Sequence, residues 1–403
     1  MSLRPVAAAV LCLGVLASGQ AMAGEDDTPL SLTLAQYLSR DNNFAKDDSF
    51  KVGETISTSI AQVGLNKSYG RQTYRANAKL SAQRYKNYDI LNNDGKDVNG
   101  SFTTGLFRDW LVSANGTYNE SLNTIQNNVG TNRLVRNIRK YRDGGFSVQY
   151  GNGGTWAIAG SYDANRRTYS LDSQKYQNAN QTSKGLKVIY FASDVLNYSL
   201  GMRRVVTDYP DNPSYSEVAD RNVDLSTNWQ VKGLSNLSAT LTRRSTSYTP
   251  SDIAGNSGWT GSLNWGYTPQ GIISYNLGFS RTTGTDRSKF GFATAGGDTV
   301  TVKNNNNTLT TSLVASARAQ LTGKVGLTLT QTATRFKVQS SLNDSISKAY
   351  GSYYHATSFS MDYQALRSLS LGCSYQRYSQ GADVYRRKYT GNSVDCNANF
   401  TID

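Results

Sequence analysis

The chain has 403 residues, 42 Lys and Arg against 29 Asp and Glu for a formal net charge of +13, and a hydrophobic fraction of only 38% with 26 Tyr and 36 Gly. A soluble chain of this length needs a large dry core, or several, yet no stretch beyond the N-terminus is a continuous apolar run and helix-period patterning is nearly absent. Such a polar, Tyr- and Gly-rich, Pro-poor chain suits a barrel with a wet interior, in which the apolar half of each strand faces lipid.

Arg4 precedes the apolar run Val6 to Ala17, followed by Ala21-Met22-Ala23 and the acidic Gly24-Glu25-Asp26-Asp27. This is the pattern of a secretory signal peptide cut after Ala23, so residues 1–23 are expected to be a signal and residues 24–403 the barrel. A lone N-terminal anchor is the alternative, but the run is too short to span a bilayer. Cys12 would leave with the signal, which leaves Cys373 and Cys396 in the mature chain. An even pair in an exported protein permits a disulfide; two free thiols are the other reading.

From Gly24 onward, segments of period two arrive at intervals of roughly twenty residues, each bounded by turn chemistry. Leu30, Leu32 and Leu34 mark a first, short strand, and Ile56 and Ile60 a second that turns through Asn66 to Gly70. Tyr74, Ala76, Ala78 and Leu80 oppose Arg75, Asn77 and Lys79 in the third, and Phe102 to Leu106 turns at Arg108-Asp109 into Trp110, Val112 and Ala114. Phe146-Val148-Tyr150 joins Trp156-Ile158 through the Gly-rich 151–154; Leu186-Val188-Tyr190 joins Leu196-Tyr198-Leu200; Val223 to Val231 turns at Lys232-Gly233 into Leu237.

The hairpin Asn256 to Thr283 repeats this unit most plainly. Trp259, Leu263, Trp265 and Tyr267 share one parity, then Tyr275, Leu277 and Phe279 after the turn Thr268-Pro269-Gln270-Gly271, in which Pro presets φ and Gly takes the left-handed position. With Trp110, Trp156 and Phe400, these aromatic residues are expected to form lipid-facing girdles. Further strands run to Phe400 and Ile402, giving about eighteen in all, or sixteen if the weak first pair is not embedded.

Connector length alternates. Short turns lie near Gly70, Asp109, Gly153, Asp194, Gly233, Gln270, Gly323 and Ser368. Long polar connectors lie at Tyr88 to Asp97, Asn123 to Asn132, Ser170 to Thr182, Thr207 to Asp220, Thr285 to Asn306 and Lys337 to Tyr350. Short periplasmic turns alternating with long outer loops is the pattern of a transmembrane antiparallel up-and-down outer-membrane barrel; a β-sandwich has no reason to alternate in this way. Cys373 and Cys396 lie nearly equidistant from the last outer turn and on the apolar parity, opposite or one step diagonal across adjacent strands.

Catalytic chemistry has little to work with. The single His355 lies beside Tyr353 and Tyr354 without a paired nucleophile, and no zinc spacing, haem-attachment motif or phosphate loop is present, so no enzyme, metal or cofactor is expected. Arg75, Lys79, Lys187, Arg203, Arg244 and Arg318 fall opposite the apolar parity and are expected to line the lumen, since a charge at the lipid midplane costs about 2–4 kcal/mol. Arg and Lys in a water-filled pore favour anions; alternatively the wall is merely solvated, its charge partly neutralised by Asp163 and Asp224. Export and barrel topology exclude nucleic acid as a partner.

Several stretches resemble a known family: Gly70-Arg71-Gln72 leading to Tyr85, Tyr88 and Leu91-Asn92; Arg136-Asn137-Ile138-Arg139 before Gly151 to Gly154 and Trp156; Asp220 to Leu225 leading to Trp229; and Gly261 to Trp265 followed by Pro269 and Gly271. Together they resemble the EpsL-type outer-membrane β-barrels encoded with exopolysaccharide operons, within a wider group of β-barrel porins. The resemblance implies a channel or export component for extracellular polysaccharide, with outer-membrane lipid, an anionic polysaccharide and export-machinery proteins as partners. A general or anion-selective diffusion porin is the alternative, and a non-conducting scaffold or sheath for a partner protein a further one.

Overall fold

The computed structural model describes residues 29–123, 134–151, 153–231, 234–249, 255–293, 299–342, 345–383 and 386–402. The expected signal segment, nearly all of the connector Asn123 to Asn132, and the turn Lys232-Gly233 lie outside the described residues.

Strands β1 (Leu30–Asp41), β2 (Glu54–Tyr69), β3 (Gln72–Tyr85), β4 (Asn93–Leu106), β5 (Trp110–Leu122) and β6 (Ile138–Tyr150) form the first third of the wall. β7 (Trp156–Tyr169), β8 (Ala179–Ser193), β9 (Leu196–Asp208), β10 (Glu217–Val231), β11 (Ser235–Thr249) and β12 (Asn256–Tyr267) continue it. β13 (Ile273–Ala293), β14 (Thr299–Gln320), β15 (Val325–Leu342), β16 (Ser345–Leu366), β17 (Leu369–Gln380) and β18 (Tyr389–Ile402) complete it. Every strand pairs antiparallel with its chain neighbours, and β1 pairs with β18 from Leu32↔Ile402 to Asp41↔Ser393. The fold is therefore a closed antiparallel barrel of 18 strands, with β1 and β2 full members of the wall. Across the span, closure leaves no open sheet edge, the condition for a sheet to stand in lipid.

Directly paired residues share a face, so the register carries the in–out assignment around the wall. Lys79 lies opposite Gln62 and Asp97, and the same face passes through Asp163, Arg203, Asn222 and Arg244 to Arg318. The other face is apolar and uncovered: Met202 is 67% exposed, Leu200 56% and Leu225 53%. A belt of this kind is a liability in water and is accounted for by lipid.

The described short turns gather at the end where β1 begins and β18 finishes. Gly151 shows what such a turn needs: its φ is +92°, and a Cβ there would meet the Trp156 carbonyl at 2.3 Å, so only glycine fits.

Three expectations need correction, the first at the turn before β13, where Gly271 is not in the left-handed conformation. Ile56 and Ile60 face the lumen, opposite Tyr85 and Ser81. The outward positions beside them are Ser57 and Ser59, whose polarity is met by the Gln36 side chain, which donates to Ser57 at 2.9 Å and accepts from Ser59 at 2.7 Å. The stretches Thr285 to Asn306 and Lys337 to Tyr350 are mostly strand rather than loop, since β13 to β16 run on past the span as two long hairpins.

Candidate functional site

A wall of this strand number, with strands about 4.8 Å apart and tilted about 40°, encloses a lumen roughly 35 Å across between backbones. Its inner face is a lawn of small polar side chains, such as Ser113, Asn115, Thr117 and Asn119 on β5 and Thr328, Thr330, Thr332 and Thr334 on β15. An inner face of this composition is suited to contact with water, as the apolar outer face is to lipid.

All six basic residues expected in the lumen lie on this face, but in two groups. Arg203 stands 3.5 Å from Asp224, Arg244 forms a two-pronged pair with Asp220 (2.9 and 2.7 Å), and Arg318 reaches Asp362 at 2.8 Å. Arg75, Lys79 and Lys187 have no ion-pair partner among the described residues. Carboxylates the sequence left in the background share the face: Asp97, Asp143, Asp163, Asp220, Asp224, Asp362 and Asp395. The wall is thus of mixed sign rather than a ring of one charge. Arg203, Asp224 and Lys187 border a recess of ≈ 480 Å³, and Arg203, Asp220 and Arg244 border another of ≈ 470 Å³.

At the outer end, two loops turn inward. Loop 42–53 lays Phe44 against Tyr85 and Tyr88 (centroids 5.8 and 6.2 Å) and Lys46 over the Tyr378 ring at 3.5 Å. Tyr85 and Tyr378 are both on the lumen face, so this loop narrows the mouth. Lys46 also pairs with Asp41 at 2.5 Å, and Asp47 with Arg387 of loop 381–388. The hydroxyl and amide of Ser49, helped by Arg387, hold the Asp47 carboxyl below its ordinary value. Farther around the wall, loop 209–216 packs Tyr209 on Tyr215 (5.2 Å) and Tyr215 on the lumen-facing Tyr248 (5.6 Å); burial raises the Tyr209 phenol. Loop 42–53 was missed by the sequence reading, although its run Asp41-Asn42-Asn43 and Asp47-Asp48 carries the turn chemistry that marks the other connectors.

Trp110, Trp156, Trp259, Trp265, Tyr267, Tyr275, Phe279 and Phe400 all lie on the outward face. Near the short-turn end they meet in pairs: Trp110 with Tyr150 at 5.0 Å, Trp156 with Tyr190 at 4.5 Å, and Tyr267 between Trp265 and Tyr275 at 5.9 and 6.3 Å. Cys373 and Cys396 are directly opposite on β17 and β18, Cα atoms 4.1 Å apart, and joined by a disulfide. His355 points outward, stacked on Tyr353 at 6.4 Å. Among the described residues no cluster of three His, Cys, Asp or Glu could hold a metal ion.

Closed wall, wet lumen and apolar belt with an aromatic girdle together define a transmembrane β-barrel of the outer-membrane type. No protein-family model matches the chain, and no curated protein sequence is similar to it. Among solved structures it is similar to the outer membrane protein opdK from Pseudomonas aeruginosa, at 12% identity over 93% of this chain and 98% of that one, TM-score 0.49. It is also similar to OccAB3 from Acinetobacter baumannii (11%; 93% and 98%; 0.48) and to OprD from Pseudomonas aeruginosa (13%; 95% and 97%; 0.47). At these values the likeness fixes neither substrate nor mechanism.

Proposed function

We propose that this barrel is a hydrated diffusion channel of the bacterial outer membrane, passing small polar solutes down their gradients. The observation that carries the reading is the predominantly polar inner face, rich in Ser, Thr, Asn and Gln, inside a wall wide enough for an aqueous pore. Arg75, Lys79 and Lys187, which lack ion-pair partners among the described residues, add a mild preference for anions, while the paired Arg203, Arg244 and Arg318 act with their carboxylates as dipolar contacts. No step needs an energy source or a reacting side chain.

The polysaccharide cargo implied by the EpsL-type resemblance is narrower, and among the described residues no feature of the wall selects a polymer over small solutes. Planar-bilayer recording decides the channel reading: discrete conductance steps are expected, and a purified, folded barrel that never conducts refutes it. Loss of exopolysaccharide secretion in a deletion strain would revive the narrower claim.

A further inference from the structure

The outward face holds a second charged feature that the channel does not use. On β6 to β11 the outward parity runs through apolar residues and then meets a cation. Phe146 and Gly144 lead to Arg142, Tyr162 and Ala164 to Arg166, Leu186 to Lys184, Met202 to Arg204, Val223 to Arg221, and Leu241 to Arg243. Each is exposed. Counted from the aromatic residue at the short-turn end, Arg142 is eight positions from Tyr150, Arg166 ten from Trp156 and Arg221 eight from Trp229. A strand crosses the hydrocarbon in about 9–11 residues, so these cations stand at the outer interface, the side of the long loops.

Their arrangement is costly for the protein alone. Arg142 lies directly opposite Arg166, and Lys184, Arg204 and Arg221 lie side by side across three strands. Like charges directly opposed destabilise a sheet, and Arg166, Arg204 and Arg221 have no carboxylate partner among the described residues. Aromatic rings steady several of the others: Arg142 over Tyr118 at 5.7 Å, Lys184 over Tyr162 at 6.0 Å, Arg243 over Trp259 at 5.5 Å. Next to them the outer wall carries an apolar groove of ≈ 660 Å³ lined by Leu225, Leu241, Trp259, Leu263 and Phe279.

From these observations we infer that the outer wall from β6 to β13, its cations on β6 to β11 and the groove beside them, is a binding site for a phosphorylated glycolipid of the outer leaflet. The headgroup phosphates bridge the opposed Arg and Lys pairs and relieve their repulsion. An acyl tail lies in the groove. Guanidinium groups bind phosphate through two parallel N–H donors, and an anionic headgroup beside clustered basic residues at a membrane surface has the required complementarity. The inference rests on the membrane placement but not on conductance.

The test compares the wild-type barrel in detergent micelles with the variant Lys184→Gln/Arg204→Gln/Arg221→Gln, titrated with bisphosphorylated lipid A and followed by native mass spectrometry. Retained lipid adducts on the wild type, weakened roughly a hundredfold in the variant, are expected from three surface cations. The lumen variant Arg75→Gln/Lys79→Gln should bind as wild type, and the outward variant should conduct as wild type, which separates this site from the pore. If the triple variant does not fold, Arg204→Gln, the centre of the three, is read in the same way with a smaller loss. Equal binding by wild type and variant overturns the site, as does full displacement of lipid A by millimolar inorganic phosphate.

Discussion

Individual charges decide how the lumen meets a permeating ion. Asp220 neutralises Arg244 and also accepts from Thr246 at 2.5 Å, so Asp220→Asn leaves a guanidinium facing the pore. The variant should move the reversal potential in a KCl gradient toward chloride and cost about 1–3 kcal/mol of stability through the lost charged hydrogen bonds. Lys187→Glu, at a residue with no ion pair among the described residues, should move it the other way with little effect on stability. Asp47 predicts a pH response at the mouth. Its carboxyl is held low in the folded loop, so its contribution is complete above the ordinary Asp value near 4 and fades as pH falls through the lowered one. Pepsin cleavage within residues 42–53 should therefore rise between pH 4 and pH 2, and Asp47→Ala should be cut readily at both.

Strands were legible where alternation was clean, and the errors have local physical causes. Ile56 and Ile60 broke the parity because β1 and β2 carry a small polarity reversal: Gln36, Ser57 and Ser59 satisfy one another on the outer wall while Ile56 sits inside opposite Tyr85. A single strand seen in sequence cannot reveal that its neighbour supplies the missing hydrogen bonds. The cysteine register, by contrast, was narrowed to an opposite or a diagonal pair by the distance of each residue to one turn, and the structure makes it the opposite pair. The bridge closes a loop of sequence separation 23, worth about 3 kcal/mol in the chain-entropy account. Cys373→Ser/Cys396→Ser should still form the barrel, held by the ladders on both sides of β17 and β18, with a lower thermal midpoint in a heat-modifiability gel. On the outer belt, Leu200→Arg should cost about 2–4 kcal/mol, seen as a lower denaturant midpoint for refolding into bilayers.

Over the whole molecule, the eighteen-strand wall followed from period two and alternating connector length, because those are one-dimensional signatures of the fold. What fills or narrows the lumen did not, because it depends on pairs far apart in sequence, such as Phe44 with Tyr85 and Lys46 with Tyr378. The mixed sign of the wall was legible only in part: Asp163 and Asp224 could be placed on the polar parity, whereas Asp97, Asp143 and Asp362 gain meaning only when eighteen strands place them beside the cations. A pore of this composition should be weakly selective, and conductance that scales with bulk salt while discriminating little between small ions is the expected whole-barrel signature.

The seam between β1 and β18 has a consequence in time as well as space. Leu32 and Ile402 must find each other across nearly the whole chain, and contacts of such sequence separation form slowly. Until they do, the sheet keeps two open edges ready to pair with other chains. A chain ending before Tyr389 would never leave that state, and it should accumulate as aggregate or protease fragments instead of as a smaller barrel.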